Sequence, residues 1–77
     1  MKQNALAKRI EYFCRREGIT YYRLSFKSAV PMTTINNIIN CKTTNPGIYT
    51  IAKICNGLGI SIKEFFDCKE FEETEPE

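Results

Sequence analysis

Residues 20–42 read TYYRLSFKSAVPMTTINNIINCK, and this stretch determines the predicted fold. Thr20 is a favourable N-cap for a helix over residues 21–28. Pro31 disfavours helical angles in the residue before it and is tolerated at a helix start, so residues 29–31 are predicted to form a turn. A second helix follows over about residues 32–40. The stretch therefore predicts two short helices joined by a tight turn.

The second of these helices has one apolar and one polar face. Its isoleucines recur at helical spacing and are predicted to face the core: Ile35, Ile38 and Ile39. Its outer face is uncharged and carries amides and hydroxyls, with Met32 at an exposed start: Thr33, Asn36, Asn37 and Asn40. This pattern is typical of a helix-turn-helix, whose second helix enters the major groove of duplex DNA.

Three further helices are predicted around this pair. The first, over about residues 4–17, has an apolar face of Leu6, Ile10, Phe13 and Cys14, and ends at Gly18. A helix over about residues 48–58 repeats the spacing with Ile51, Ile54, Cys55 and Leu58. The Ser61–Glu64 capping box begins a short last helix that buries Phe65, Phe66 or both. The prediction is an all-α, compact five-helix domain.

Composition excludes several classes of function. Seventy-seven residues allow one small domain. The four cysteines form no C-x-x-C pair and histidine is absent, so no metal or cofactor is predicted, and Cys14 and Cys55 are interpreted as small core residues. We recognise no signal peptide and no membrane-spanning run, which predicts a cytoplasmic protein without a membrane partner. No nucleophile–base pair or phosphate loop is present, so neither an enzyme nor a small-molecule ligand is predicted.

Charge is divided unevenly along the chain. Residues 1–66 contain ten Lys/Arg and three acids, a net charge of +7, whereas residues 67–77 contain Lys69 and six acids, a net charge of −5. A basic body suits a polyanion such as DNA. The sequence thus predicts a DNA-binding domain over residues 1–67 and an acidic C-terminal tail over residues 68–77. The tail has too little apolar content to fold alone, although Phe71 offers a docking group.

The chain resembles the lambda-repressor-like, Cro/XRE-type helix-turn-helix family. The resemblance covers roughly residues 6–66 and rests on motifs in the right order: Leu24-Ser25, Val30, Thr34-Ile35, Ile38, Asn40, Asn45-Pro46, Ile51, Ile54, Leu58-Gly59-Ile60-Ser61 and Phe65-Phe66. It implies a lambda-repressor-like domain from a bacterium or phage, associated with the nucleoid, that binds a double-stranded DNA operator as a homodimer. Two positions depart from the family pattern, because Ala29 and Cys41 stand where glycine is usual.

The resemblance also implies roles for individual residues. Met32, Thr33 and Asn37 match positions that read base edges, and Asn36 is a less regular fourth. The remaining matches are to phosphate and backbone contacts: Tyr21, Asn40 and Lys42. Arg23 is assigned to the same group because of its positive charge. A solvated face is an equally good interpretation for each of the basic residues of the first two helices: Arg15, Arg16, Arg23 and Lys27.

The chemistry of these side chains agrees with that assignment. An asparagine amide bonds bidentately to adenine, a threonine pairs with several base edges, and methionine contacts a thymine methyl group. The outer face of the helix has no Arg or Lys, so no guanine clamp is expected and A/T-containing half-sites are predicted. Exposed Asn and Thr are also often merely solvated. One of Tyr21 and Tyr22 is expected to cover a core edge, and Tyr21 is favoured for the phosphate.

The sequence is consistent with two functions. The first is a sequence-specific DNA-binding transcriptional regulator, most simply a repressor, whose dimer interface is placed on helix five or Phe71. The alternative is a protein-interaction module on the same scaffold, such as an antitoxin or adaptor. The acidic tail is interpreted as a solubilising end or as a segment that lies against the basic face and weakens non-specific DNA binding.

Overall fold

The computed structural model describes residues 5–42 and 46–72, without the side chains of Glu70 and Glu72. The predicted helix start at Asn4, the Asn45 motif position and the end of the tail lie outside these ranges. The described residues form six helices: α1 (Ala5–Glu17), α2 (Tyr21–Ser28), α3 (Met32–Ile39), α4 (Ile48–Leu58), α5 (Ile62–Phe66) and α6 (Lys69–Glu72). The five predicted helices and the all-α class are confirmed, and α6 is an additional single turn. Among the residues that the structure describes, no helix combines the length and the hydropathy that a membrane span requires.

The core lies between α1, α3, α4 and α5, and α2 packs chiefly on α4. The predicted apolar faces of the helices are buried in it, as is Val30 from the turn: Ile10, Phe13, Cys14, Leu24, Ile35, Ile38, Ile51, Ile54, Cys55, Leu58 and Phe65. Leu6, which was predicted to belong to the apolar face of the first helix, is half-buried at the edge of the core, as are Ile39 and Phe66. Burial raises the pKa of the Cys14 thiol to about 11, in keeping with its predicted place among the small core residues.

Four helices end in the same left-handed turn. The terminating residues have φ of 67° at Gly18, 57° at Ala29, 60° at Cys41 and 74° at Gly59. Each is followed by a residue whose N–H donates to the carbonyl five positions earlier, as Val30 does to Ser25 at 3.2 Å. This pairing satisfies carbonyls that a helix end leaves open. Ala29 and Cys41 therefore occupy left-handed positions that glycine normally fills.

Replacing Ala29 by glycine is expected to stabilise the protein by about 0.5–1 kcal/mol. A left-handed residue with a Cβ atom costs about 1–2 kcal/mol, and the extra freedom of glycine in the unfolded chain offsets part of the gain. Ala52→Gly, the same change inside α4, should destabilise by about 1 kcal/mol instead. Urea denaturation of the two variants measures the sign of each change in the free energy of unfolding. A loss of stability in the Ala29 variant would contradict the strain assigned to that turn.

Helices α2 and α4 lie close together at Ser28 and Gly57. A Cβ atom added to Gly57 would lie 2.8 Å from the Cβ and backbone nitrogen of Ser28. The close contact therefore involves the last residue of α2. The Ser28 hydroxyl is satisfied within its own helix, since it donates to the Leu24 carbonyl at 2.7 Å.

The Arg9 side chain of α1 holds α5 in place. The Arg9 guanidinium donates to the carbonyls of Phe65 at 2.7 Å, Glu64 at 2.9 Å and Asp67 at 3.3 Å, and it stacks 4.5 Å from the centre of the Phe13 ring. These carbonyls form the C-terminal turn of α5, where a positive charge also complements the helix dipole. Phe71 of α6 completes this end of the domain, because its ring centre lies 4.7 Å from that of Phe66. The docking of Phe71 suggested by the sequence is thereby confirmed.

Candidate DNA-binding surface

The outer face of α3 carries the side chains predicted to read bases. Thr33 and Asn36 are exposed, Asn37 is half-buried, and Asn40 is exposed at the C-cap. Their spacing places them on one face, opposite the buried Ile35 and Ile38. Met32, the first residue of α3, is half-buried rather than exposed as predicted. The structure therefore brings the four polar candidates together on one surface.

Backbone contacts at both ends fix the position of α3. At its start the Pro31 carbonyl accepts from Thr34 at 3.0 Å and from Ile35 at 3.2 Å. At its end the Lys42 N–H donates to the Asn37 carbonyl at 2.8 Å. This bond ties Lys42, which is exposed, directly to the end of the polar face. The backbone of a cationic residue is therefore held at the end of the helix that carries the candidate reading residues.

The start of α2 is the second element of this surface. The Thr20 hydroxyl accepts from the Arg23 N–H at 3.0 Å, so the predicted N-cap is confirmed. Tyr21 is half-buried against the core in a groove that it shares with Glu11, Cys14 and Arg15. Burial, followed by the charge of Glu11, raises the pKa of the Tyr21 hydroxyl. The hydroxyl therefore stays protonated near neutral pH and keeps its capacity to donate to a phosphate oxygen.

Charges on the two helices favour an anionic partner. Neither α2 nor α3 contains an acidic residue. Arg23, Lys27 and Lys42 are exposed, and no ion pair links them to any other described residue. By contrast, Arg15 pairs with Glu11 at 3.1 Å, and Arg16 pairs with Glu17 at 3.2 Å. The cations without an ion pair, Arg23, Lys27 and Lys42, thus lie on α2 and after α3, whereas the two arginines at the end of α1 are paired.

A family model for the Cro/C1-type helix-turn-helix DNA-binding domain matches residues 9–70 of the chain. The chain belongs to this family. The match covers every helix from α2 to α5 and most of α1, which confirms the resemblance given by the sequence. The protein is accordingly a DNA-binding regulator of the Cro/C1 type. No match is found among curated proteins or among solved structures.

Sequence reasoning missed two features near this surface. Tyr22 and Phe26 of α2 are 62% and 65% exposed and pack edge-on against each other, with ring centres 5.0 Å apart. Their spacing of four residues was a visible signal for such a pair. The contact of Arg9 with α5 had no local signal, because it joins residues 55 to 58 positions apart.

Proposed function

We propose that the protein is a sequence-specific transcriptional regulator, acting as a repressor, that reads the major groove with α3. The observation that carries this proposal is the face of α3, where Thr33, Asn36 and Asn37 lie together on a helix anchored by two buried isoleucines. Uncharged polar side chains on a rigid helix are suited to base edges, which require fixed donors and acceptors. Occupancy of an operator by this domain would block transcription from overlapping promoters.

The contacts divide into two groups in this proposal. Asn36 and Asn37 pair with adenine, and Thr33 and Met32 contact thymine, which favours A/T-containing half-sites. A second group binds phosphates and sets the register of the helix in the groove: Tyr21, Arg23, Asn40 and Lys42. Contacts of the first group supply sequence specificity, and those of the second supply salt-dependent affinity.

A homodimer would place two copies of α3 about 34 Å apart, one turn of DNA. Of the two interface sites suggested by the sequence, α5 presents Ile62, which is 41% exposed, whereas the Phe71 ring is packed on Phe66 of its own chain. Ile62→Asp should therefore weaken dimerisation, because it places a charge in the apolar contact while leaving the core intact. We propose α5 as the centre of the interface.

Selection of bound duplexes from a randomised DNA pool at moderate salt tests this function. An enriched inverted repeat that contains A·T pairs is expected, with half-site centres one helical turn apart. An enriched site made only of G·C pairs would contradict the assignment of Asn36 and Asn37. Absence of any enriched sequence would overturn operator binding and favour the alternative, a protein-interaction module such as an antitoxin or adaptor.

A further inference from the structure

Helix α2 carries an exposed aromatic pair, Tyr22 and Phe26. The two rings are 62% and 65% exposed and meet edge-on at 89°. Among the ring contacts of the described residues, this is the one in which both rings are exposed. Neither ring packs against the hydrophobic core, in contrast to Tyr21 on the same helix. Contiguous exposed apolar surface indicates an interaction site, whereas a single exposed side chain does not.

A row of two cations runs beside the aromatic pair. Arg23 and Lys27 each follow one aromatic residue in the sequence, so the two rows lie side by side, and each repeats after about 6 Å along the helix axis. Both cations are exposed, and neither takes part in an ion pair among the described residues. These four residues form the α2 outer face, which is apolar along one side and positive along the other.

The charge of the α2 outer face decides which partner it fits. A symmetric contact between two copies of α2 would bring four cations together without an acid, because α2 contains no acidic residue. Like charges placed opposite each other in an interface are strongly unfavourable. The phosphates of duplex DNA neutralise cations but gain nothing from two exposed rings. The face is therefore complementary to a partner that combines carboxylates with an apolar side chain.

We propose that the α2 outer face binds an acidic segment of another protein. One large aliphatic or aromatic side chain of the segment covers Tyr22 and Phe26, and its carboxylates lie opposite Arg23 and Lys27. Side chains at about the required spacing of 6 Å are supplied by successive turns of a helix or by alternate residues of an extended chain. Burial of the two rings supplies most of the affinity, whereas the exposed ion pairs set the orientation and the association rate.

Binding of such a segment has a consequence that rests on the proposed function. Arg23 is among the side chains assigned to DNA phosphates, and the first helix of a helix-turn-helix crosses the DNA backbone. An acidic segment and a duplex would therefore compete for Arg23. The partner would release the regulator from its operator, so that the α2 outer face is the site of induction.

Selection from a phage-displayed library of short random peptides tests the surface, with the full chain as bait and no DNA present. Enriched peptides are expected to combine several Asp or Glu with a large apolar residue. Their affinity, measured by fluorescence anisotropy on the synthetic peptides, should fall at least about tenfold in a Tyr22→Ser, Phe26→Ser variant. It should fall about threefold to tenfold in an Arg23→Gln, Lys27→Gln variant at low salt, and less at high salt.

Matched substitutions on α4 provide the control. Tyr49 is 82% exposed and Lys53 is exposed, so a Tyr49→Ser, Lys53→Gln variant removes a ring and a cation from another helix and should bind the peptides as the native chain does. Absence of enrichment, enriched peptides without acids, or an equal loss in the α4 variant would overturn the proposal. Loss of self-association in the Tyr22→Ser, Phe26→Ser variant would also overturn it, since the occupant would be a second copy. All substituted side chains are exposed, so the fold should be retained, which circular dichroism checks.

Addition of a selected peptide to the operator complex tests the competition separately. The peptide is expected to weaken operator binding by the native chain and to leave the Tyr22→Ser, Phe26→Ser variant unaffected. A peptide that binds the native chain while operator affinity stays constant would overturn the competition for Arg23. A native chain that binds the peptides but selects no operator would instead overturn the proposed function and leave the α2 outer face supported as a protein-binding surface.

Discussion

Asn37→Ala should weaken binding to the selected operator by about 10- to 100-fold. A bidentate amide–adenine pair contributes about 1–3 kcal/mol of discrimination, and alanine provides neither its donor nor its acceptor. The half-buried side chain lies on α3 between the buried isoleucines and the exposed Asn36. Alanine is also the better helix former, so loss of folding is not expected to account for the effect. Fluorescence anisotropy with the selected duplex and with random duplex measures the change.

The same substitution elsewhere provides the control for this prediction. Asn56 is an exposed asparagine on α4, so Asn56→Ala should leave operator affinity unchanged. Lys42→Ala should instead weaken binding to the operator and to random duplex alike. It should also reduce the slope of log affinity against log salt concentration by about one. If Asn37→Ala weakened both duplexes equally, its role in base reading would be contradicted and it would be grouped with the phosphate contacts.

Gly57→Ala should destabilise the protein by about 1–3 kcal/mol. The added methyl group would lie 2.8 Å from the Ser28 backbone nitrogen and 2.9 Å from its Cα atom. Backbone atoms of a packed helix move only if α2 and α4 separate, and overpacking of this kind costs about 1–3 kcal/mol. The cost is expected to outweigh the gain of about 1 kcal/mol that alanine normally brings to a helix. Thermal denaturation measures the loss.

Gly47→Ala is the matched control for this prediction. Gly47 precedes α4 with an ordinary φ of −66°, and a Cβ atom there would meet nothing within 4 Å. That variant should lose less than about 1 kcal/mol, because alanine is a poorer N-cap than glycine, while its restriction of the unfolded chain offsets part of that loss. Since α2 carries the turn that leads into α3, Gly57→Ala should also weaken operator binding well below its melting temperature. Equal stability of the two variants would show that α2 and α4 adjust freely at this contact.

Local signals in the sequence predicted most of the helix boundaries. The bounds of α2 and α4 agree with the structure because each is set by nearby residues, Thr20 and Pro31 for α2 and the glycines that flank α4. The left-handed residues at Ala29 and Cys41 were likewise visible as departures from a glycine pattern. Single-residue caps and turns act over a few positions, and a sequence displays them directly.

Contacts between distant segments were harder to predict. The pairing of Ser28 with Gly57 depends on the distance between two helix axes, and hydrophobic periodicity does not specify that distance. Periodicity also does not decide which of two adjacent tyrosines covers the core. Tyr21 is the tyrosine that packs against the core edge, and Tyr22 is exposed, so the expectation that left Tyr21 as the free one of the pair is wrong. The phosphate role of Tyr21 stays a prediction that depends on its protonated hydroxyl. The reading roles of the α3 side chains likewise remain predictions.

A nuclear magnetic resonance titration with the selected duplex tests whether α3 is the helix that reads the DNA. The side-chain amide resonances of Asn36 and Asn37 report on the reading face, and backbone amides report on every helix. Both asparagine side chains and the amides at the start of α2 are expected to shift strongly with the operator, and the side-chain shifts are expected to be lost with random duplex. Shifts concentrated on α5 and α6, with the Asn36 and Asn37 side chains unmoved by the operator, would contradict the assignment of α3 as the reading helix.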